Sequence, residues 1–225
     1  MTRVVSAGVP PLTDQAEDID RIWSGFLYIA IGVAALVTVL VLYVVIRHRR
    51  RSDALPRQVH EHIGIELFYT AVPLAIVIGL FAVTFVSVRA IDDLDDDPDL
   101  VVEVTAFQWQ WQFDYPASGA RVVGSDEVTP ELVLPAGQKV RFDLTAVDVI
   151  HSFWIPGFRF KRDMFPGETT SFQVDVDDRT GFFPETGVCA EFCGLDHHKM
   201  RFSVRIVTAD EFTEWTRERT AEAGS

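Results

Sequence analysis

Twelve residues near the C-terminus, Cys189-Ala-Glu-Phe-Cys-Gly-Leu-Asp-His-His-Lys-Met200, gather two thiols, an imidazole and a thioether in the spacing C-x3-C-x3-H-x2-M. Cys189 and Cys193 are the only cysteines among 225 residues. A further imidazole, His151, lies upstream in a stretch whose alternating apolar residues predict a strand. Thiolate, imidazole and thioether are soft to borderline donors, the set that suits copper passing single electrons. One thiolate, two imidazoles and a weak axial thioether describe a single-copper site. The second thiolate in the same loop supplies donors for two coppers sharing a pair of bridging sulfurs. Bridging delocalises the odd electron, so little geometry changes on reduction.

The competing chemistry is a disulfide, the usual fate of two cysteines on an oxidising outer face. A disulfide gives no reason for His197 and Met200 at matched intervals, nor for Gly194 turning the chain between them. His197 and His198 compete for one ligand role. The gap after Cys193 equals the gap between the cysteines, which favours His197 and leaves His198 solvated. His48, His60 and His62 sit between two apolar runs, out of reach of this loop, and read as solvated.

Those runs are what must carry the loop. Ile22 to Ile46 and Leu67 to Val88 contain no charged residue, and each exceeds the ~20 residues that cross a bilayer core. Together they predict a transmembrane hairpin. Its connection holds Arg47, Arg49, Arg50, Arg51 and Arg57 against Asp53 and Glu61. Excess arginine marks the cytoplasmic side, so both termini are expected on the outer face of a bacterial plasma membrane or an equivalent respiratory membrane. The front of the chain lacks a basic start and a short apolar core, so the first apolar run itself is expected to act as the insertion signal. From Asp92 onward there are 26 acidic and 12 basic residues, a balance of −14 against −13 for the whole chain. An outward domain so acidic steers basic partners and excludes nucleic acid.

Five segments follow: an outward tail over residues 1–21, the hairpin over 22–90, an acidic linker over 91–99, a β-rich domain over 100–208 and a terminal helix and tail over 209–225. Val101 to Phe113 alternates apolar and polar residues and predicts one long half-buried strand. Glu131–Gly137, Val140–Val149, Thr169–Val176 and Phe202–Val207 predict further short strands between Gly and Pro turns, as in a sandwich or Greek-key barrel. Thr208-Ala-Asp-Glu211 has capping-box form, and Phe212 and Trp215 follow one turn apart, predicting a helix.

At this point the chain resembles a family. The loop C-A-E-F-C-G-x-x-H-x-x-M is similar to the binuclear copper loop of cytochrome c oxidase subunit II, and Asp148-Val-Ile-His-Ser-Phe-Trp-Ile-Pro156 to the segment supplying its first histidine. Phe107-Gln-Trp-Gln-Trp111 resembles its aromatic strand, Lys161-Arg-Asp-Met-Phe-Pro-Gly167 its connecting turn, and Glu66-Leu-Phe-Tyr-Thr-Ala-Val-Pro73 its membrane-anchor motif. The resemblance implies a membrane-anchored, mainly β protein, with a two-helix hairpin followed by a cupredoxin-like Greek-key β-barrel or sandwich. It implies two copper ions, with Cys189 and Cys193 bridging, His151 and His197 terminal, Met200 weak, and Glu191 ligating through its carbonyl. The Glu191 side chain would reach a magnesium ion shared with the partner subunit, and haem would lie in that partner only. Trp109 would be the aromatic through which electrons arrive, Glu66 the mouth of a proton channel, and Asp114 and Asp148 part of a docking face. The implied partners are oxidase subunits I and III, a soluble or membrane-bound cytochrome c, and lipid. Tyr69 stands where the family motif has Trp, and Gln110 where an aromatic often flanks Trp109.

The implied function is electron input to a terminal oxidase that reduces oxygen to water and pumps protons, with the oxygen chemistry in the partner. The same site would serve a nitric-oxide reductase. A membrane-tethered copper carrier would need exposed, sparse ligands, and five clustered donors do not have that form. A quinol oxidase subunit would need no copper ligands at all.

Overall fold

The structure, a computed structural model, describes residues 9–49 and 60–223. Arg50, Arg51, Asp53 and Arg57, on which the orientation partly rests, lie outside the described residues, as do residues 1–8 of the tail and the last two residues. The chain divides into a helical unit, Arg21–Ala90, and a second unit formed by Ile91 onward together with the segment up to Asp20.

The helical unit takes its form from two helices, α1 (Asp14–Arg47) and α2 (Ile63–Asp92). The apolar side chains of α2 face outward all round, with none of its residues buried. A helix so uniformly apolar is satisfied by lipid or neighbouring helices rather than by water. The hydroxyls of Thr38, Thr84 and Ser87 donate back to the carbonyls of Ala34, Leu80 and Val83, so these three need no solvent partner. Pro73 lies inside α2, as transmembrane helices tolerate.

The second unit is a sandwich of two five-stranded sheets. One runs β3 (Ala120–Val123), β2 (Gln110–Tyr115), β1 (Leu100–Phe107), β5 (Lys139–Ala146), β8 (Thr170–Asp175). The other runs β4 (Glu131–Pro135), β10 (Arg201–Val207), β9 (Gly181–Cys189), β6 (His151–Trp154), β7 (Lys161–Met164). Alternation sends Val102, Val104, Trp111, Phe113, Val140, Phe142, Leu144 and Phe172 of the first sheet inward to meet Phe153, Phe202 and Val204 of the second. Phe202 packs in the aromatic centre: its ring contacts Trp111, Phe113 and Phe153 at centroid separations of 5.3, 5.3 and 5.0 Å. It also covers Gly187, where a Cβ would stand 2.2 Å from the ring.

The expectation of one strand over Val101–Phe113 is corrected. A two-residue turn, Gln108-Trp109, folds it into the β1–β2 hairpin, with Phe107 opposite Gln110. The turn moves the inward face from even residues (Val102, Val104, Ala106) to odd ones (Trp111, Phe113, Tyr115), and the adjacent apolar pair Ala106-Phe107 hides that change of phase in the sequence. Strand β9 was not expected at all. It bulges where Pro184, Glu185 and Thr186 stand opposite Ser203, and there the missing proline donor costs no ladder bond.

Both ends of the unit are tied down. Thr208 and Glu211 form the expected reciprocal cap on α3 (Ala209–Ala223), whose Phe212 and Trp215 pack on Tyr115. At the other end the residues before α1 and its first turns, 9–20, form a strap along the sandwich. The Leu12 N–H donates to the Gly157 carbonyl, the Leu12 carbonyl accepts from Asp177, and Thr13 bridges Val176. Gln15 pairs twice with Asp175, and Arg159 grips both carboxylate oxygens of Asp20 and the Val9 carbonyl. Leu12 and Ala16 are buried. Residues 9–20 therefore serve the β unit, not a free tail, and α1 starts within the segment expected to be tail.

Candidate metal centre

The loop Cys189–Met200 is clamped at its neck, because the Cys189 N–H donates to the Met200 carbonyl as β9 ends and β10 begins. Ser152, next to His151 on β6, accepts from the Ala190 N–H, which brings the imidazole over the loop. Inside it, Gly194 turns the chain at φ +120°. A 3-10 turn, His197–Lys199, follows and presents His197 and then Met200.

This arrangement brings every expected copper ligand together. Cys189 Sγ lies 3.8 Å from Cys193 Sγ, 3.7 Å from His151 Nδ1 and 3.2 Å from the Glu191 carbonyl oxygen. Cys193 Sγ lies 3.5 Å from His197 Nδ1 and 3.8 Å from Met200 Sδ. The sulfurs are far beyond the ~2.05 Å of a disulfide. Donors spaced in this way fit ions bonded at about 2.0–2.3 Å to thiolate and imidazole. His151, Cys189, Cys193 and Met200 are buried, which keeps water from competing. His198 is exposed, as is the Glu191 side chain, whose carbonyl alone faces the centre.

The two thiols are electrostatically unequal. Burial works against the Cys189 thiolate, but the His151 imidazole and the N–H groups of Ser152 and Glu191 outweigh it and draw its pKa down to about 7. Burial and then the charge on Cys189 push Cys193 up to about 12. Between these values the metal-free pair keeps one proton that a bound ion must displace. Metal uptake at fixed metal concentration is thus expected to strengthen as pH rises from about 7 toward about 12. Titration of the metal-free protein with a thiophilic ion at several pH values checks this, and a flat affinity would contradict it.

A hydrogen-bonded shell surrounds the donors. Asp148 accepts from His151 Nε2 at 2.8 Å, which leaves Nδ1 aimed at Cys189, and it accepts from the N–H groups of Gln108 and Val149, each at 2.7 Å. Burial alone would raise the Asp148 carboxyl, yet these partners hold it below the usual carboxylate range. Gln108 Nε2 and Trp109 Nε1 both donate to the Cys193 carbonyl, at 2.7 and 3.2 Å. Gly194 admits them: a Cβ there would lie 3.3 Å from the indole. Sequence reasoning missed Gln108, and it read Asp148 as surface; the carboxylate three residues before His151 was the available signal.

The other expected residues lie elsewhere. Asp114 pairs across strands with Arg121 and accepts from Gln112. Glu66, in the first turn of α2, accepts the His62 N–H at 2.9 Å and so caps its own helix. Trp111 is wholly buried in the core, whereas Trp109 borders a cleft of about 290 Å³ lined also by Asp126, Glu127, Asp196, Lys199 and Arg201.

Fold and site together define a membrane-anchored β-sandwich that holds a buried cluster of thiol, imidazole and thioether donors, the class of metal domains that passes single electrons. The chain belongs to the cytochrome c oxidase subunit II family. Residues 10–89 match its transmembrane domain, and residues 121–207 its periplasmic domain. The chain is 36% identical to the probable cytochrome c oxidase subunit 2 of Streptomyces avermitilis, over 92% of this chain and 77% of that one. It is 31% identical to the corresponding protein of Nocardia farcinica, over 93% and 73%. The crystal structure of the periplasmic domain of cytochrome oxidase subunit II from Bradyrhizobium japonicum superposes with a TM-score of 0.51 at 30% identity, covering 57% of this chain and 99% of that one. The sandwich is thus cupredoxin-like, and His151, Cys189 and Cys193 form a cluster whose ligand atoms lie close enough to hold a metal ion.

Proposed function

We propose that this subunit accepts electrons from an external cytochrome c at a binuclear copper centre and passes them to haem in a catalytic partner, within a complex that reduces oxygen to water and pumps protons. The observation that carries the reading is the buried cluster in which Cys193 Sγ touches a second thiol, an imidazole and a thioether. Cys189, Cys193, His151 and His197 would hold the copper, with Met200 and the Glu191 carbonyl as weaker donors, and the bound metal would supply one-electron chemistry. The sandwich holds these groups in one arrangement for both oxidation states, and burial excludes water.

The exposed Glu191 carboxylate is proposed to reach magnesium at the boundary with subunit I, with subunit III completing the assembly. Asp114 and Asp148 remain proposed contributors to docking, although each is already engaged by a partner; Asp126 and Glu127 beside Trp109 are the freer acids of that region. Glu66 is proposed at a proton-channel mouth in addition to its capping role. Both termini are proposed to face the outer side of the membrane.

Electron paramagnetic resonance of the copper-loaded full chain tests the reading. A hyperfine pattern from one electron shared equally by two coppers is expected. A single-copper spectrum, or none with Cys189 and Cys193 oxidised to a disulfide, would overturn it. The full chain is required because residues 9–20 complete the β unit. Trp109→Ala should leave that spectrum intact and slow electron uptake by on the order of 10- to 100-fold, the range expected when a group next to a metal centre is lost. Stopped-flow reduction by a cytochrome measures it, and an unchanged rate would return Trp109 to an ordinary surface aromatic.

A further inference from the structure

We infer that Gln108 is a positioning residue for electron uptake, holding the Trp109 indole on the Cys193 carbonyl and joining that carbonyl to the His151 side of the centre. The inference rests on the copper reading above and deepens it. Gln108 and Trp109 form the whole β1–β2 turn, so the strands fix the turn only at its two ends. What orients the indole between them is a set of three bonds. The Gln108 main-chain N–H donates to Asp148, and its carboxamide and the neighbouring indole donate to one oxygen, that of Cys193. A carbonyl oxygen has two lone pairs and accepts both.

The consequence is geometric. The indole reaches a bridging sulfur through one hydrogen bond and the covalent bonds of Cys193 itself. Asp148 extends the same chain of contacts to His151 Nε2. Ligands that arrive from different elements, β6 and the loop, are thereby referenced to a single turn. Gln108 is exposed, so its carboxamide does not need this bond to avoid burial unpaired. A glutamate of the same shape would repel the carbonyl, whereas a lysine would keep a donor at similar reach.

The test uses the full chain in detergent, with Gln108→Met and Gln108→Glu removing the donor and Gln108→Lys keeping one. Hydrogen exchange of the Trp109 indole N–H is followed by nuclear magnetic resonance in the metal-free protein, its signal assigned by Trp109→Phe. Both loss variants should speed exchange by about fivefold, the equilibrium worth of one net hydrogen bond. After copper loading they should slow electron uptake by a similar factor, with the copper spectrum and the KM for the cytochrome unchanged. Gln108→Lys should recover both readouts. Wild-type exchange in the two loss variants overturns the inference, as does a raised KM with unchanged kcat, which would make Gln108 a docking contact. Because exchange is read without metal, failure of wild type to bind copper would sink the underlying reading separately.

Discussion

Cys193→Ser is expected to erase the shared-electron spectrum of the copper-loaded protein and to stop electron uptake. Its sulfur lies within 3.8 Å of three other donors, Cys189 Sγ, His197 Nδ1 and Met200 Sδ. Serine is nearly isosteric, but its hydroxyl is a hard donor that stays protonated, and it cannot bridge two soft ions. Copper affinity should fall by more than the roughly 10- to 100-fold that losing an outer-shell partner costs. Copper content, the resonance spectrum and turnover of the assembled oxidase measure the effect. Normal values for all three would refute the ligand assignment. His198→Asn is the matched control, since His198 is exposed and should leave each value unchanged.

Phe202→Ala should strongly destabilise the sandwich. The ring is fully buried, contacts three other aromatics and lies over Gly187, whose bare Cα leaves room for it. Truncation of a buried Phe costs about 3–5 kcal/mol through lost burial and the cavity left behind. For a unit of this size that lowers the melting temperature by roughly 10–15 °C. Thermal melts followed by near-ultraviolet circular dichroism would show it, and a change under about 2 °C would mean that the core repacks around the gap. Phe202 is two residues past Met200, so loosening it is expected to weaken copper retention as well.

The ligand loop was legible because its chemistry is written in consecutive residues at short, regular intervals. The membrane helices were legible because 25 residues in a row without a charge, Ile22 to Ile46, make a helix long enough to span the hydrocarbon of a bilayer. The reciprocal cap at Thr208 and Glu211 was legible because its signal is local. Strand β9 was hidden by Pro184 and by glycines at both ends of its bulged stretch, residues that ordinarily argue against a strand. The β1–β2 turn was hidden because the adjacent apolar residues Ala106 and Phe107 mask the change of phase across it, and with it the reason Trp109 leaves the sheet face while Trp111 enters the core. The hydrogen bonds from Gln108 to Asp148 and to Cys193 join residues 40 and 85 positions apart, so no short window of sequence contains them. The strap was hidden for the same reason: its polar residues read as solvated until the partners Asp175, Asp177 and Arg159 are placed beside them.

That strap also sets an order of events during synthesis. Gln15 is made well before its partner Asp175, which comes 160 residues later. At about 5–20 residues per second the wait is roughly 10–30 s. The α1 and α2 segments are made during it, and until it ends residues 9–20 have no sheet to lie on. They therefore find their seat only after most of the β domain has been made, which makes docking of residues 9–20 a late step in this protein's maturation.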